Sequence, residues 1–250
     1  MGQMRHASPV ALARTGGALY ALIIILGLFE EVFVRGRIIV AENAATTAAN
    51  LRSLEWLWRV GIASELVLLI SAVVLNVIFF VLLRPVSRDL ALLAVFLNLV
   101  SLAVEASAVL GLVGALFPLG SAPYLGAFEP EQLHALMRLA IRWHAHGFTV
   151  ALVFFGTFCL MAGYLMFRSG YLPRLLGAGL VIAGLCYVAN GFVLILAPSL
   201  ASRLYPAILV PPFLGETAVA LWLLVKGVDG NAFGDRLDEL ARSPTGVGPW

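Results

Sequence analysis

Charged residues are scarce in this chain of 250 residues. Asp, Glu, Lys and Arg make up 12% of it and 61% is hydrophobic, whereas about 25% charged residues is usual in a soluble domain. A water-soluble globular domain is therefore excluded, and apolar surface that faces lipid is expected. The formal net charge is only +2, and no basic run alternates with aromatic residues. The composition therefore indicates no nucleic-acid partner.

Cysteine is almost absent as well. Cys159 and Cys186 lie in separate apolar segments, and no Cys-x-x-Cys is present. Both are interpreted as small core side chains rather than as a disulfide or a thiolate metal site. The chain also lacks His-Glu-x-x-His, Gly-x-Ser-x-Gly and a phosphate-binding loop, and its one lysine, Lys226, ends the last apolar segment. No cofactor is expected.

Long apolar runs dominate the chain instead. Six are long enough, at roughly 20 residues, to cross a bilayer as helices. They cover residues 17–34, 57–83, 90–116, 143–167, 175–197 and 206–228. The first resembles a secretory signal but has no small-residue cleavage site, so it is interpreted as an uncleaved span. We predict an all-α polytopic membrane protein, with a six-helix transmembrane domain over residues 1–228 and a polar cytoplasmic tail over 229–250.

Basic residues predict the orientation of these spans. The short turns RPVSRD and RSGYLPR are basic, and both lie on the same side as the two termini. Basic residues on that side outnumber those on the other by nine to seven. Because positive charge is retained in the cytoplasm, both termini are expected there. The nine residues are Arg5, Arg14, Arg84, Arg88, Arg168, Arg174, Lys226, Arg236 and Arg242.

Each predicted span carries a polar group at or outside the midplane. A charged side chain at the centre of a membrane helix costs about 2.5–3.5 kcal/mol on insertion scales, so such groups are rarely incidental. We expect them to share a recess that opens towards the outer surface. At its mouth stand two pairs at ion-pairing spacing, Glu31 with Arg35 and Glu55 with Arg59. Arg37 and Arg59 flank the entrance and could serve an anionic ligand. The candidate ligand-binding residues are Glu30, Arg35, Arg59, Glu65, Glu105, His144, Asn190 and Glu216.

Two local patterns refine this set. In IRWHAHGF, His144 continues the apolar face of a helical segment, whereas His146 continues a basic ridge. His144 is therefore the histidine expected to face the bundle. Pro211 and Pro212 stand one turn before Glu216 and remove backbone donors. They indicate either an interrupted helix beside a binding site, as in transporters, or only a kink where the sixth span enters the bilayer.

Three functions are open at this point. The acids could bind a small ligand or cation with exchange of protons, because a buried carboxyl group needs a proton or a compensating cation. Glu65, Glu105 and His144 could instead act as general acid and base, or hold a hard metal ion, in a membrane enzyme. The polar groups could also only pair helices in an accessory or signalling protein. Six spans are few for a carrier, so a homodimer is a further expectation.

Five segments carry a resemblance to a known family: GLFEEVFVRGRIIV, ATTAANLRSLEWLWRVG, LLRPVSRDLALLA, FFGTFCLMAGYLMFRSGYLPRLLG and PPFLGETAVALWLLVKG. They resemble a bacterial six-span family, domain of unknown function 4386, from about Leu12 to Val228. The resemblance implies a multi-pass protein of the bacterial inner membrane and brings no activity, cofactor or substrate. His146 departs from its pattern, where an aromatic residue is usual. The family's typical positions include Glu30, Arg35, Glu55, Trp56, Arg59, His144 and Glu216.

Overall fold

Six long apolar helices organise the protein, as its hydropathy predicts. The computed structural model describes residues 8–242, without the side chain of Ala241, and this range is helical with no strand. Arg5 and residues 243–250 of the expected tail lie outside the described residues. The all-α membrane fold with six spans is confirmed. The spanning helices are α1 (Pro9–Ile38), α3 (Glu55–Leu83), α4 (Arg88–Gly114), α5 (Pro130–Ser169), α6 (Arg174–Leu196) and α8 (Val210–Val225).

Shorter helices fill the connections. They are α2 (Ala44–Ser53), α7 (Pro198–Leu204) and α9 (Gly230–Arg242), with single 3₁₀ turns at Phe117–Leu119, Pro123–Ala127 and Ala207–Leu209. Helix α2 begins after Asn43, whose side-chain oxygen accepts a hydrogen bond from the Thr46 amide at 2.9 Å. This N-cap satisfies one of the amides that a helix start leaves unpaired. The polar, Ala-rich stretch after the first span is therefore a surface helix, as its composition predicts.

Two spans are longer than the apolar runs that predicted them. Helix α1 begins at Pro9, and α5 runs from Pro130 to Ser169 without a break. Its 40 residues correspond to about 60 Å at 1.5 Å per residue, about twice the thickness of the hydrocarbon core. Hydropathy marks only the part of a helix that suits lipid, whereas the backbone continues into the polar PEQLHALMR segment. His144 therefore lies inside α5 rather than at its start.

The chain forms two compact units. Within the described residues, the first comprises residues 8–21, Ala72–Ser101 and residues 152–242, and the second comprises Leu22–Ser71 and Leu102–Ala151. The first unit contains α6 to α9 together with parts of α1, α3, α4 and α5. The second contains α2 and the remaining parts of those four helices. Each unit thus has its own set of buried polar side chains.

The sixth span enters its helix without an interruption. Helix α8 begins at Val210, so Pro211 and Pro212 occupy its first turn. A proline there loses nothing, because the first amides of a helix have no intrahelical acceptor. The interrupted helix that was one interpretation of the two prolines is therefore not formed, and Glu216 lies on a regular helix.

Close helix packing in the second unit depends on two glycines. A Cβ at Gly111 of α4 would lie 2.6 Å from the Ala140 carbonyl oxygen and 3.0 Å from the His144 amide nitrogen. A Cβ at Gly147 of α5 would lie 2.5 Å from the Ala108 Cβ. Small residues of this kind let two helix backbones approach each other closely. This contact sets the position of His144 relative to α4.

Candidate functional site

A π-helical turn in α1 positions the first site residues. Residues Phe29–Arg35 are π-helical, and the Gly36 amide donates to the carbonyl of Glu31, five residues earlier. The wider turn brings residues five apart onto one side, and the Arg35 Nη2 lies 3.2 Å from the Glu30 Oε2. The Nε of Arg35 also lies 3.2 Å from Glu31, which is the predicted pair at i and i+4. Such turns are rare in proteins as a whole, but those that occur are often found at functional sites.

Glu30 is buried beside α3. Only 3% of its surface is exposed, and the hydroxyl of Ser64 donates to its Oε1 at 2.8 Å. Its carboxyl group also interacts with that of the buried Glu65. Two acids on facing helices therefore share the single guanidinium of Arg35.

His144 links Glu65 to Arg35. Its Nε2 lies 2.8 Å from the Glu65 Oε1, and its Nδ1 lies 3.5 Å from the Nη1 of Arg35. A guanidinium can only donate, so Nδ1 accepts and Nε2 carries the ring proton that Glu65 accepts. His144 and Glu65 are 3% and 2% exposed, whereas His146 is exposed, in agreement with the predicted difference between the two histidines.

Two buried polar atoms of this network have no hydrogen-bond partner in the described part of the chain, the Nε of Arg35 and the Oε2 of Glu65. The Glu65 Oε2 lies 4.0 Å from the Arg35 Nη1. A cavity of about 10 Å³ lies beside it, lined also by Glu30 and Trp58. That volume is close to what the centre of one water molecule requires. The site therefore has a free acceptor and room for a very small guest.

Glu105 of α4 adds a further acid. It is half-buried and interacts electrostatically with Glu65, Glu30 and Arg35. Within residues 8–242 its side chain has no hydrogen bond or ion pair. If Glu30, Glu65 and Glu105 are all ionised, their three negative charges exceed the positive charge that Arg35 and His144 can supply. We call these five residues, Glu30, Arg35, Glu65, Glu105 and His144, the Glu65 site.

An apolar layer closes the Glu65 site within the second unit. The layer is formed by residues of α1, α3, α4 and α5 that lie about one to two helical turns from the site residue on the same helix. Trp58, for example, lies about two turns before Glu65 on α3. The Trp58 indole donates to the Leu112 carbonyl at 3.0 Å, and α2 adds Leu51. A ligand that enters from this end must displace the layer. Its buried members are Val34, Ile38, Ala48, Leu51, Trp58, Leu112, Ala115, Met137 and Ile141.

Three predicted site residues lie elsewhere. Arg59 is exposed and forms the predicted pair with Glu55, at 2.8 Å. Asn190 and Glu216 are buried in the first unit. Glu216 accepts hydrogen bonds from Tyr20 at 2.9 Å and Tyr187 at 2.5 Å. The predicted site residues other than Arg59 therefore fall into two groups, one in each unit.

The Glu216 group is enclosed by aromatic rings. Neighbouring rings lie 5.6–5.9 Å apart between centroids and connect the two phenols that hold the carboxyl group. Such edge and offset contacts stabilise a packed core. Both carboxyl oxygens have a donor, so this group differs from the Glu65 site, where one oxygen is free. The rings, in order of contact, are Tyr20, Phe79, Phe158, Phe155 and Tyr187.

Sequence reasoning missed Ser64, Tyr187 and the π-helical turn. Tyr187 lies three residues before Asn190 on α6, so the same helix face that predicted Asn190 could have identified it. Ser64 precedes Glu65, and only the tertiary structure shows that it contacts Glu30. Within residues 8–242, no three His, Cys, Asp or Glu side chains are grouped as metal ligands would be. The observed groups are suited to binding protons and hydrogen-bond donors.

Sequence comparison relates the membrane-spanning part of this chain to a known family. The profile of a family described as domain of unknown function (DUF4386) matches residues 15–227. An uncharacterized protein of Archaeoglobus fulgidus is 24% identical over 167 residues, which cover 67% of this chain and 83% of the relative. No solved structure matches the chain. The family match includes every residue of the Glu65 site.

Proposed function

Since the chain belongs to the DUF4386 family and is a multi-pass membrane protein, we propose that its Glu65 site binds a small cation in exchange for protons. The cavity has room for about one water molecule, so the proposed cation class is small alkali ions, and methylammonium serves as a test of the size limit. In a bacterial cell the protein would work in the inner membrane, with the site towards the outer surface. The Glu65 carboxylate is the proposed primary ligand, and Glu105 supplies further negative charge.

One observation carries this proposal: the buried Glu65 Oε2 accepts no hydrogen bond from an amide, hydroxyl or basic group of residues 8–242, lies 4.0 Å from the Arg35 Nη1, and belongs to a carboxyl group that contacts the carboxyl group of Glu30. A buried charge without a partner is costly, so the acid either takes a proton or attracts a cation. The excess of acids over Arg35 has the same consequence. Proton and cation would then compete for one set of oxygens, which is the basis of exchange.

The experiment is a pair of measurements on purified protein in detergent micelles. Sodium, potassium, magnesium and methylammonium are added separately, and the unfolding midpoint is followed by circular dichroism at several pH values. A ligand at 100 times its Kd should stabilise the folded state by about 2.7 kcal/mol. A pH dye in weakly buffered solution reports the protons that the same addition releases. We expect stabilisation to be larger at higher pH, where protons compete less.

Variants separate the site from general charge effects. Glu65→Gln keeps an acceptor for His144 and removes the charge, and Glu105→Gln removes the second acid. Both should lose the stabilisation and the proton release. Glu55→Gln is the matched control, because it removes one acid of the same unit that is exposed and paired with Arg59. It should respond as the wild type does.

Other results would contradict the proposal. If no cation shifts the midpoint or releases protons, while Glu65→Gln and Glu105→Gln change only stability, the polar groups serve to pair helices. That outcome would favour an accessory or signalling protein. If only magnesium raises the unfolding midpoint and releases protons, the site is selective for a divalent ion and the proposed exchange with monovalent cations is wrong.

A further inference from the structure

A groove in the first unit has no part in the Glu65 site. It lies between the turn after α5, at Gly170 to Pro173, and the end of α8, from Trp222 to Asp229. Its volume is about 420 Å³, within the range of small-molecule sites. We call it the Lys226 groove, after the cation that lines it. Lys226 is also the one lysine of the chain.

Backbone geometry builds the walls of the groove. Helix α8 ends at Val225, and Gly227 after its C-cap has φ of +73° and donates its amide to the Trp222 carbonyl at 3.1 Å. This left-handed C-cap suits glycine, which has no Cβ to clash. The Asp229 amide then donates to the Tyr171 carbonyl at 3.2 Å, which ties the two walls together. The groove is therefore a feature of the fold rather than a gap between loose loops.

The groove carries one positive and one negative side chain, and among the described residues only the positive one has no partner. Asp229 is its one lining acid, and the Oδ1 of that residue accepts from the amides of Asn231 and Ala232 at the start of α9. Lys226 has no ion pair or side-chain hydrogen bond within residues 8–242. An exposed ammonium thus stands in a groove whose carboxylate is already engaged by backbone donors.

Aromatic residues place this region at the depth of lipid headgroups. Arg168 lies over the ring of Tyr164, at 6.0 Å, and Arg174 over that of Phe167, at 5.8 Å. Both rings are more than two-fifths exposed, and Trp222 of the groove is 37% exposed. Exposed aromatic rings beside cations are typical of the interface between hydrocarbon and headgroups. Arg168 and Arg174 bracket the turn that forms one wall.

We propose that the Lys226 groove binds the headgroup of an anionic glycerophospholipid. The phosphodiester would contact the Lys226 ammonium, and an acyl chain would cover the exposed face of Trp222. Basic pockets at helix ends bind anionic headgroups in this way. The exposed rings favour a lipid over a soluble phosphate, because only a molecule with acyl chains gains by covering them.

The single lysine makes a direct test available. The protein is placed in nanodiscs of phosphatidylglycerol or of phosphatidylcholine, and an amine-acylating reagent is added. Peptide mass spectrometry then follows acylation at Lys226. We expect it to be about fivefold slower in phosphatidylglycerol, as one lysine–phosphate contact of ordinary strength implies. An anionic surface also slows acylation in general, so a second amine is needed as reference.

Arg88→Lys supplies that reference. Arg88 is exposed, begins α4 in the same unit, and does not line the groove. Protection at Lys226 should exceed protection at position 88 in the same sample. In native mass spectrometry, the wild type and Lys226→Arg should retain phosphatidylglycerol, whereas Lys226→Gln should lose it and Arg88→Gln should keep it. Lys226 is exposed, so these variants are expected to fold.

Three results would overturn the proposal. Equal protection at both positions would mean that only the surface potential acts. Equal protection by phosphatidylcholine would mean that lipid covers the groove without recognising charge. If soluble glycerol phosphate, added to phosphatidylcholine nanodiscs, protects Lys226 as well as phosphatidylglycerol does, the groove takes a soluble phosphate and not a lipid.

Discussion

The hydrogen bond between Glu65 and His144 is a contact whose strength can be measured directly. His144→Leu keeps a side chain of comparable volume and removes both ring nitrogens. Because Glu65 Oε2 accepts no hydrogen bond from an amide, hydroxyl or basic group in the described range, this substitution leaves the carboxyl group with only its contacts to Glu30 and, at 4.0 Å, to Arg35. A hydrogen bond to a charged group contributes about 1.5–3 kcal/mol. We expect His144→Leu to lower the free energy of unfolding by that amount.

A double-mutant cycle isolates the pair. Glu65→Leu together with His144→Leu removes both partners, and replacement of both by apolar groups of similar shape is often nearly neutral. Arg35 is not left unpaired in the double variant, because Glu30 and Glu31 each lie 3.2 Å from it. The double variant should therefore recover most of the lost stability. The expected coupling energy is about 1.5–3 kcal/mol.

Unfolding in mixed micelles, with a rising fraction of denaturing detergent, gives the free energies by circular dichroism. His146→Leu is the control, since His146 is exposed on the same helix and should change stability by less than about 0.5 kcal/mol. The reasoning fails if His144→Leu costs no more than His146→Leu. It also fails if the effects of Glu65→Leu and His144→Leu on the free energy of unfolding are additive in the double variant.

Four further variants test the packing of the two units. Gly111→Ala would place its Cβ 2.6 Å from a backbone oxygen and should cost about 1–3 kcal/mol in the same unfolding assay, whereas Gly114→Ala, with its nearest neighbour at 3.8 Å, should not destabilise. Tyr187→Phe removes one of two donors to Glu216 and should cost about 1–3 kcal/mol. Burial raises the pKa of Tyr171, so wild-type stability should fall as pH rises above about 10. Tyr171→Phe should show a shallower fall.

The spans and the inward histidine could be predicted because they depend on local patterns. Runs of about 20 apolar residues identify membrane helices by length alone. The faces of α5 distinguished His144 from His146, since helical periodicity determines which side chains point the same way. The i, i+4 pair of Glu31 and Arg35 follows from the same geometry. Orientation of the termini remains a prediction.

The grouping of the acids could not be predicted, because it depends on tertiary packing. Nothing local to Glu216 indicates that its partners are Tyr20 and Tyr187 rather than other acids. The π-helical turn was also missed, although it is what brings Glu30 and Arg35 together. Its formation depends on contacts with other helices, among them the bond from Ser64 to Glu30. An argument from helical periodicity assumes 3.6 residues per turn and therefore cannot detect a π-helical turn.

Substitution of Glu105 distinguishes a binding role of the Glu65 site from a purely structural role. If the polar groups only held helices together, each buried or half-buried acid should have a partner, and its removal should destabilise the protein. Glu105 has no hydrogen bond or ion pair within residues 8–242 and lies among like charges. Glu105→Leu should therefore fold at least as stably as the wild type, because it relieves repulsion and replaces a costly acid with an apolar side chain.

The same variant should lose cation-dependent stabilisation, since the site then has one negative charge fewer with which to attract a cation. Stability and binding thus change in opposite directions at Glu105, which is the behaviour of a residue retained for function at some cost in stability. The two measurements use one sample, an unfolding curve with and without sodium or methylammonium. A loss of stability in Glu105→Leu with an unchanged cation response would reverse the argument and assign Glu105 to helix pairing.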